Sequence, residues 1–214
     1  MEKSYKYEFA TKNDMLEKLY SYSHTDDDDT IRIKKNIKDA LLHCPELLYC
    51  MKDPELEKEL FTSDGKLNVG EDGEPLGEWD RYFGDSAPIR PYLFIPETQS
   101  EKNNYLCYQV SFQDSPLRNN TEKYCIITFV IFINEKDAID KDTGIPRHDL
   151  IGSIIREKMA WSGICGNKMI PTSDKESTTD NSFLTRTLMY ETTLPNSLVK
   201  TDKNFTYLNN KRKY

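Results

Sequence analysis

The sequence predicts an α+β fold: a small, mostly antiparallel sheet of about four strands with an amphipathic helix packed on it, plus N-terminal helices and long loops. Three observations carry this. Residues 124–133, YCIITFVIFI, are β-branched or aromatic almost throughout and read as a central strand buried on both faces. A helical stripe follows, formed by Leu150, Ile151, Ile154, Ile155, Met159 and Trp161. The order of elements, helices then strands then a helix and a strand, lacks the βαβ alternation of a doubly wound sheet.

The first residues show weak periodicity, with a short helix through Met15, Leu16 and Leu19. Asp26, Asp27, Asp28 and Asp29 precede Thr30 and form a helix-start signal, because carboxylates accept from free N–H groups and oppose the macrodipole. The helix reads from Ile31, with Ile33, Ile37, Ala40, Leu41 and Cys44 on one stripe, and Pro45 ends or restarts it. Pro54 opens a further helical piece through Leu56, Leu60 and Phe61.

Residues 62–88 are rich in Gly, Asp and Pro and read as a long loop, functional or partly disordered, pinned at its end by Trp79, Tyr82 and Phe83. Residues 89–95 start the sheet, and Pro91 places them near an edge. Over 104–112, Leu106, Tyr108, Val110 and Phe112 alternate with less apolar residues, as in a strand with one better-buried face. Pro146 and Asp149 suit the start of the packed helix, and Gly163 and Gly166 its exit. Residues 167–182 read as a polar loop. The last strand, 183–194, turns Leu184, Leu188, Tyr190 and Leu194 one way and Thr185, Thr187 and Glu191 the other, and Pro195 stops it.

Length fits a single α+β domain over 1–214. Within it, an N-terminal helical region covers 1–61, the acidic Gly-rich loop 62–88, the sheet with its helix 89–195, and a polar basic tail 196–214. Hydrophobic residues make up 37%, with 13 Tyr and 9 Phe, enough for a core. A mean hydropathy of -0.73 requires that much of the chain stay solvated. The longest apolar run, Cys125 to Ile133, is too short to span a bilayer, and the first residues lack a signal-peptide pattern, so no membrane association and a cytoplasmic site of synthesis are expected. Five cysteines without a CxxC read as buried, reduced thiols. A net charge of -7 argues against a protein that grips nucleic acid over a broad surface.

Motifs for chemistry are weak. GxxxxGK[ST], GxGxxG and HExxH do not occur. Gly70 to Gly73 is Gly-spaced but acidic, would repel phosphate, and lacks the ligand ladder of a calcium loop. His43, Cys44 and Cys50 want a fourth ligand. In Arg147-His148-Asp149, His148 is a candidate general base; an Asp149 that caps the helix or complements its dipole and an Arg147 paired with a neighbour explain the triplet more simply. Glu135, Lys136 and Asp137 follow the central strand as a metal-nuclease site would require. Cys165 lies among small residues that a helix exit explains. No catalytic, cofactor-binding or metal residue is assigned, and no cofactor is expected.

From Thr143 the chain runs through Gly144-Ile145-Pro146-Arg147-His148-Asp149-Leu150-Ile151, an apolar helix ending in Trp161, a polar loop, and the strand Leu184-Thr185-Arg186-Thr187-Leu188-Met189-Tyr190-Glu191, all preceded by the strand 126–133. This pattern, over roughly residues 120–195, resembles the neck and tail-completion proteins of tailed bacteriophages: head–tail connectors and tail terminators. The resemblance implies a structural virion protein without enzymatic activity, self-associating in a closed ring and contacting portal, neck or tail proteins. DNA would pass through the lumen without specific binding. The acidic balance then has a purpose, since dense Lys and Arg would hold phosphates. It also implies that loops 62–88 and 167–182 are docking arms ordering on assembly. The alternatives are a metal-dependent nuclease or hydrolase using Glu135, Asp137 or His148, or a non-viral adaptor binding through its edge strands.

Overall fold

The structure, a computed structural model, describes residues 11–21, 29–94, 104–113, 122–179, 183–195, 198–201 and 204–207. Strands β1 (Ile89–Arg90), β2 (Tyr105–Gln113), β3 (Glu122–Asn134), β4 (Ile170–Thr178) and β5 (Phe183–Pro195) form one sheet in the order β1-β2-β3-β5-β4. β1 is parallel to β2 and every other pairing is antiparallel. The fold is α+β, and the apolar run of β3 occupies the central position as its composition demands.

Helices α1 (Lys12–Ser21), α2 (Asp29–Leu42), α3 (Pro45–Cys50), α4 (Glu57–Leu60) and α5 (Arg147–Met159) accompany it. Pro45 does both things expected of it, since α2 stops at Leu42 and Pro45 is the first residue of α3. The stripes meet on one face of the sheet. Ile33, Ile37 and Leu41 from α2, Leu47 and Leu48 from α3, and Ile151, Ile155 and Met159 from α5 share a core with Tyr108, Ile127, Phe129, Ile131 and Leu188. Phe129 lies opposite Tyr108 on β2 and Leu188 on β5, the middle of that layer.

Several expectations need correction. The sheet has a fifth strand: β4 runs through the segment read as a polar loop. All but one of its residues are exposed, so it follows no hydrophobic alternation and is held by the ladder to β5. Residues in the polar tail form a second, two-stranded antiparallel sheet, β6 (Leu198–Thr201) with β7 (Asn204–Tyr207). The segment 62–88 is ordered along its whole length. Bridges join Phe61 to Leu67 and Val69 to Pro75, Gly73 turns the tip at φ +82, and the Trp79 indole donates to the Glu59 carbonyl at 2.9 Å. Trp79 and Tyr82 are buried, so the aromatic pin is as expected.

Trp161 does not join the α5 stripe. The helix ends at Met159, and Trp161 adopts φ +62 with 62% of its surface exposed. Its N–H donates to the Met169 carbonyl at 2.7 Å, and the Met169 N–H donates back to the Ser162 carbonyl at 3.1 Å. That closure fixes the left-handed turn at Trp161, while Gly163 and Gly166 fall later in the loop.

The opposite face of the sheet is different. Near one end Phe94, Tyr105, Phe132 and Phe183 form a small second cluster, capped by the Arg90 guanidinium 3.9 Å from the Phe94 ring centre. Beyond it the register stacks rows across the strands: Gln109–Thr128–Met189–Ser173, then Ser111–Ile126–Glu191–Ile170, then Gln113–Tyr124–Thr193. Gln109, Tyr124, Glu191 and Ile170 are exposed, and Thr128 and Met189 half-buried.

Candidate functional site

The residues with chemical potential converge at the start of α5, in two ion networks. The first is buried. The turn 138–147 folds back so that the Arg147 N–H donates to the Ala138 carbonyl at 2.8 Å. Its guanidinium reaches Asp140 at 2.7 Å and the carbonyls of Cys50 and Asp137, each at 3.3 Å. Arg147 and Asp140 are 3% and 4% exposed. Asp140 also accepts from the Thr143 hydroxyl at 2.8 Å and the Thr143 N–H at 3.0 Å. The Thr143 hydroxyl first, then its N–H and the Arg147 charge, hold the Asp140 carboxyl below its ordinary range against the opposing effect of burial. Arg147 therefore pairs with a neighbour, as expected, and the pair clamps the turn to α3.

The second network lies across α5, β5 and β4. Arg186 donates to Asp174 from Nε at 2.8 Å and from Nη2 at 2.9 Å, a bidentate pair. Its Nη1 bonds Asp149 and lies 3.7 Å from Glu176. Arg156 of α5 also bonds Asp174. A Cβ at Gly152 would lie 2.9 Å from the Arg186 Nε, so the mid-helix glycine, which costs about 1 kcal/mol relative to Ala, makes room for the guanidinium to cross α5.

His148, Asp149 and Glu176 bring one ligand atom each within 4.8 Å of one another, the one such group among the described residues. These three could contact a cation. Arg186 already faces both carboxylates, however, and neutralises the group from within. The His148 Nε2 stands 3.6 Å from Asp149, beyond a good hydrogen bond, and its buried Nδ1 has no partner. A general base would need a closer orienting carboxylate. Asp149 caps no N–H by its side chain and instead faces β5.

The other candidates are dispersed. Glu135 and Lys136 are exposed in the turn after β3, and Asp137 pairs with Lys52. Cys44 and Cys50 are buried, and burial pushes their thiols up to about 12 and about 11, so neither is poised as a thiolate ligand. His43 turns to the surface instead, its ring meeting the Asp39 carbonyl at 2.8 Å and Glu74 at 3.1 Å, which raises its pKa. Cys165 is buried with its sulfur 3.7 Å from that of Met169. Glu74 belongs to the acidic turn after Gly70, so that turn is tied to α2.

Sequence reasoning missed Asp174, Glu176 and Arg186. Two signals were present: acids two residues apart in a segment read as loop, and an Arg between Leu184 and Leu188 on a core-facing register.

The YomW family model matches residues 45–192, more than half of the chain. The chain belongs to the YomW family. YomW is a protein name from an SPβ-like prophage, and the protein is phage-associated. The match starts at the first residue of α3 and ends within β5, so it takes in both ion networks and all five strands of the main sheet, while α1 and α2 precede it. Comparison with curated proteins gives no match. Among the described residues no helix is long and apolar enough to cross a membrane.

Proposed function

We propose that this YomW-family protein is a structural component of the phage particle, assembling as a closed ring at the head–tail interface through which DNA passes. Membership of a phage-derived family is the observation that carries the reading. The arrangement of the ionic groups agrees with it. The buried Arg147–Asp140 pair and the Arg186 network spend their charges on one another and on backbone carbonyls, which is how side chains fasten a scaffold. The net charge of -7 suits a lumen that releases phosphates.

The edges of the main sheet make plain strand addition a poor route to assembly. β1 has two residues, and β4 carries Pro171, a register irregularity and the charged run Asp174-Lys175-Glu176, all devices that discourage edge pairing. Ring contacts are instead made through faces and helices.

Negative-stain microscopy and light scattering of the purified full chain test the proposal, together with mass spectrometry of purified particles. The expected result is rings of one size and incorporation into particles. A monomer that is absent from particles would overturn it.

A further inference from the structure

Strand β4 has Pro171 as its second residue, and its register to β5 shifts between Pro171 and Ser173. Thr172 is the extra residue, with its hydroxyl donating to the Met189 carbonyl at 3.3 Å. A bulge of this kind bends an edge strand locally. Beside the bend a cavity of about 240 Å³ opens between β4 and α5, where Arg156, Pro171, Thr172, Asp174, Leu188 and Tyr190 line it.

The polar end of this cavity is unusual. Tyr190 is 1% exposed, and a tyrosine so deeply buried ordinarily finds a partner for its hydroxyl. Tyr108 does so, donating to the Lys34 carbonyl at 3.4 Å. The Tyr190 hydroxyl makes no hydrogen bond among the described residues, yet it is not sealed in protein as the Tyr82 hydroxyl is, so it opens to the cavity. Burial pushes this hydroxyl up to about 12, and the Arg156 and Arg186 charges pull it back down. At neutral pH it is therefore a donor in a positive field.

Arg156 gives Asp174 its Nη2, while its Nε and Nη1 make no bond among the described residues. Asp174, the acid of the lining, is already answered by Arg156 and by the bidentate Arg186. The rest of the lining is apolar: Pro171, Leu188 and the Tyr190 ring.

We propose that this cavity binds a small organic carboxylate, whose oxygens take the Tyr190 O–H and a free Arg156 N–H while its short apolar body lies on Pro171 and Leu188. The donors decide for a carboxylate against a phosphate. A carboxylate presents two oxygens, which one hydroxyl and one guanidinium N–H can take; a phosphate presents more and would turn one of them toward Asp174. The volume, below the about 300–1,000 Å³ of pockets for drug-sized ligands, keeps the occupant small. Arg156 belongs to α5 and Tyr190 to β5, so the occupant ties the helix to the sheet beside its edge strand. All of these groups come from one chain, and the site is independent of the ring.

The test uses butyrate, titrated into the full chain and followed by ligand-observed saturation-transfer NMR, which tolerates a particle of any size. Saturable binding is expected. Tyr190→Phe, which removes the hydroxyl and keeps the ring, and Arg156→Gln are each expected to weaken it at least about tenfold, as for a hydrogen bond to a charged group. Lys175→Gln, which removes an exposed charge of β4, is expected to leave it unchanged. Circular dichroism checks the fold of each variant; if Tyr190→Phe does not fold, Arg156→Gln, at a half-exposed side chain, decides alone. Butyrate that does not saturate, binding that the folded variants leave unchanged, or inorganic phosphate that displaces butyrate at lower concentration overturns the proposal. Binding by a chain that stays monomeric supports it and leaves only the ring overturned.

Discussion

The two faces of the main sheet carry different kinds of information, and neighbouring residues of β3 report on each. Phe129 is fully buried against Tyr108 and Tyr190 beneath the helices. Thr128, next to it, is half-buried on the other side, between Gln109 and Met189. The covered face is apolar because folding needs it so. The open face mixes buried Cys107 and Ile126 with exposed Gln109, Tyr124 and Glu191, so its residues follow no single burial demand.

Breaking the covered face should have the largest effect. Phe129→Ala is expected to cost about 3–5 kcal/mol of unfolding free energy, read by urea titration. Arg147→Ala comes close to it: the variant leaves the buried Asp140 carboxylate without its guanidinium, and about 3–5 kcal/mol is expected to be lost. Asp140→Leu combined with Arg147→Met should recover much of this, because no buried charge is then stranded.

Arg186→Ala should sit lower, at about 1–2 kcal/mol, since its acidic partners keep water contact. The effect should be local, with faster amide exchange in β4 than in β3. Smaller still is the tie between α2 and the Gly70–Gly73 turn. His43 has a raised pKa in the fold, so its contribution is complete below the unfolded value of about 6.5 and fades as pH rises through the folded one. His43→Gln should flatten stability against pH in that window. Asp140 works in the opposite sense: its depressed pKa supplies stability above about pH 4 that is lost as pH falls through the folded value. Thr128→Lys, on the half-buried open face, should change unfolding free energy least, within about 0.5 kcal/mol by urea titration.

Legibility in the sequence followed burial. The β3 run, the α2 stripe of Ile33, Ile37 and Leu41, and the α5 positions Ile151, Ile155 and Met159 are apolar because they are buried, and each was readable as such. β4 was not, because Ile170 to Thr178 bury almost nothing and take their conformation from β5. Trp161 misled for the converse reason: it lies at a spacing that continues the stripe, but the helix ends two residues before it. The Arg147–Asp140 pair depends on a turn bringing together residues seven apart, which no periodicity encodes. Arg186 was the missed opportunity, since a charged residue between Leu184 and Leu188 must find partners across the helix layer.

Sedimentation velocity of the full chain across a wide concentration range separates a closed ring from a monomer. A ring gives one discrete particle, a whole-number multiple of the 25.0 kDa chain, that stops growing once closed. A 25.0 kDa monomer at every concentration would contradict it.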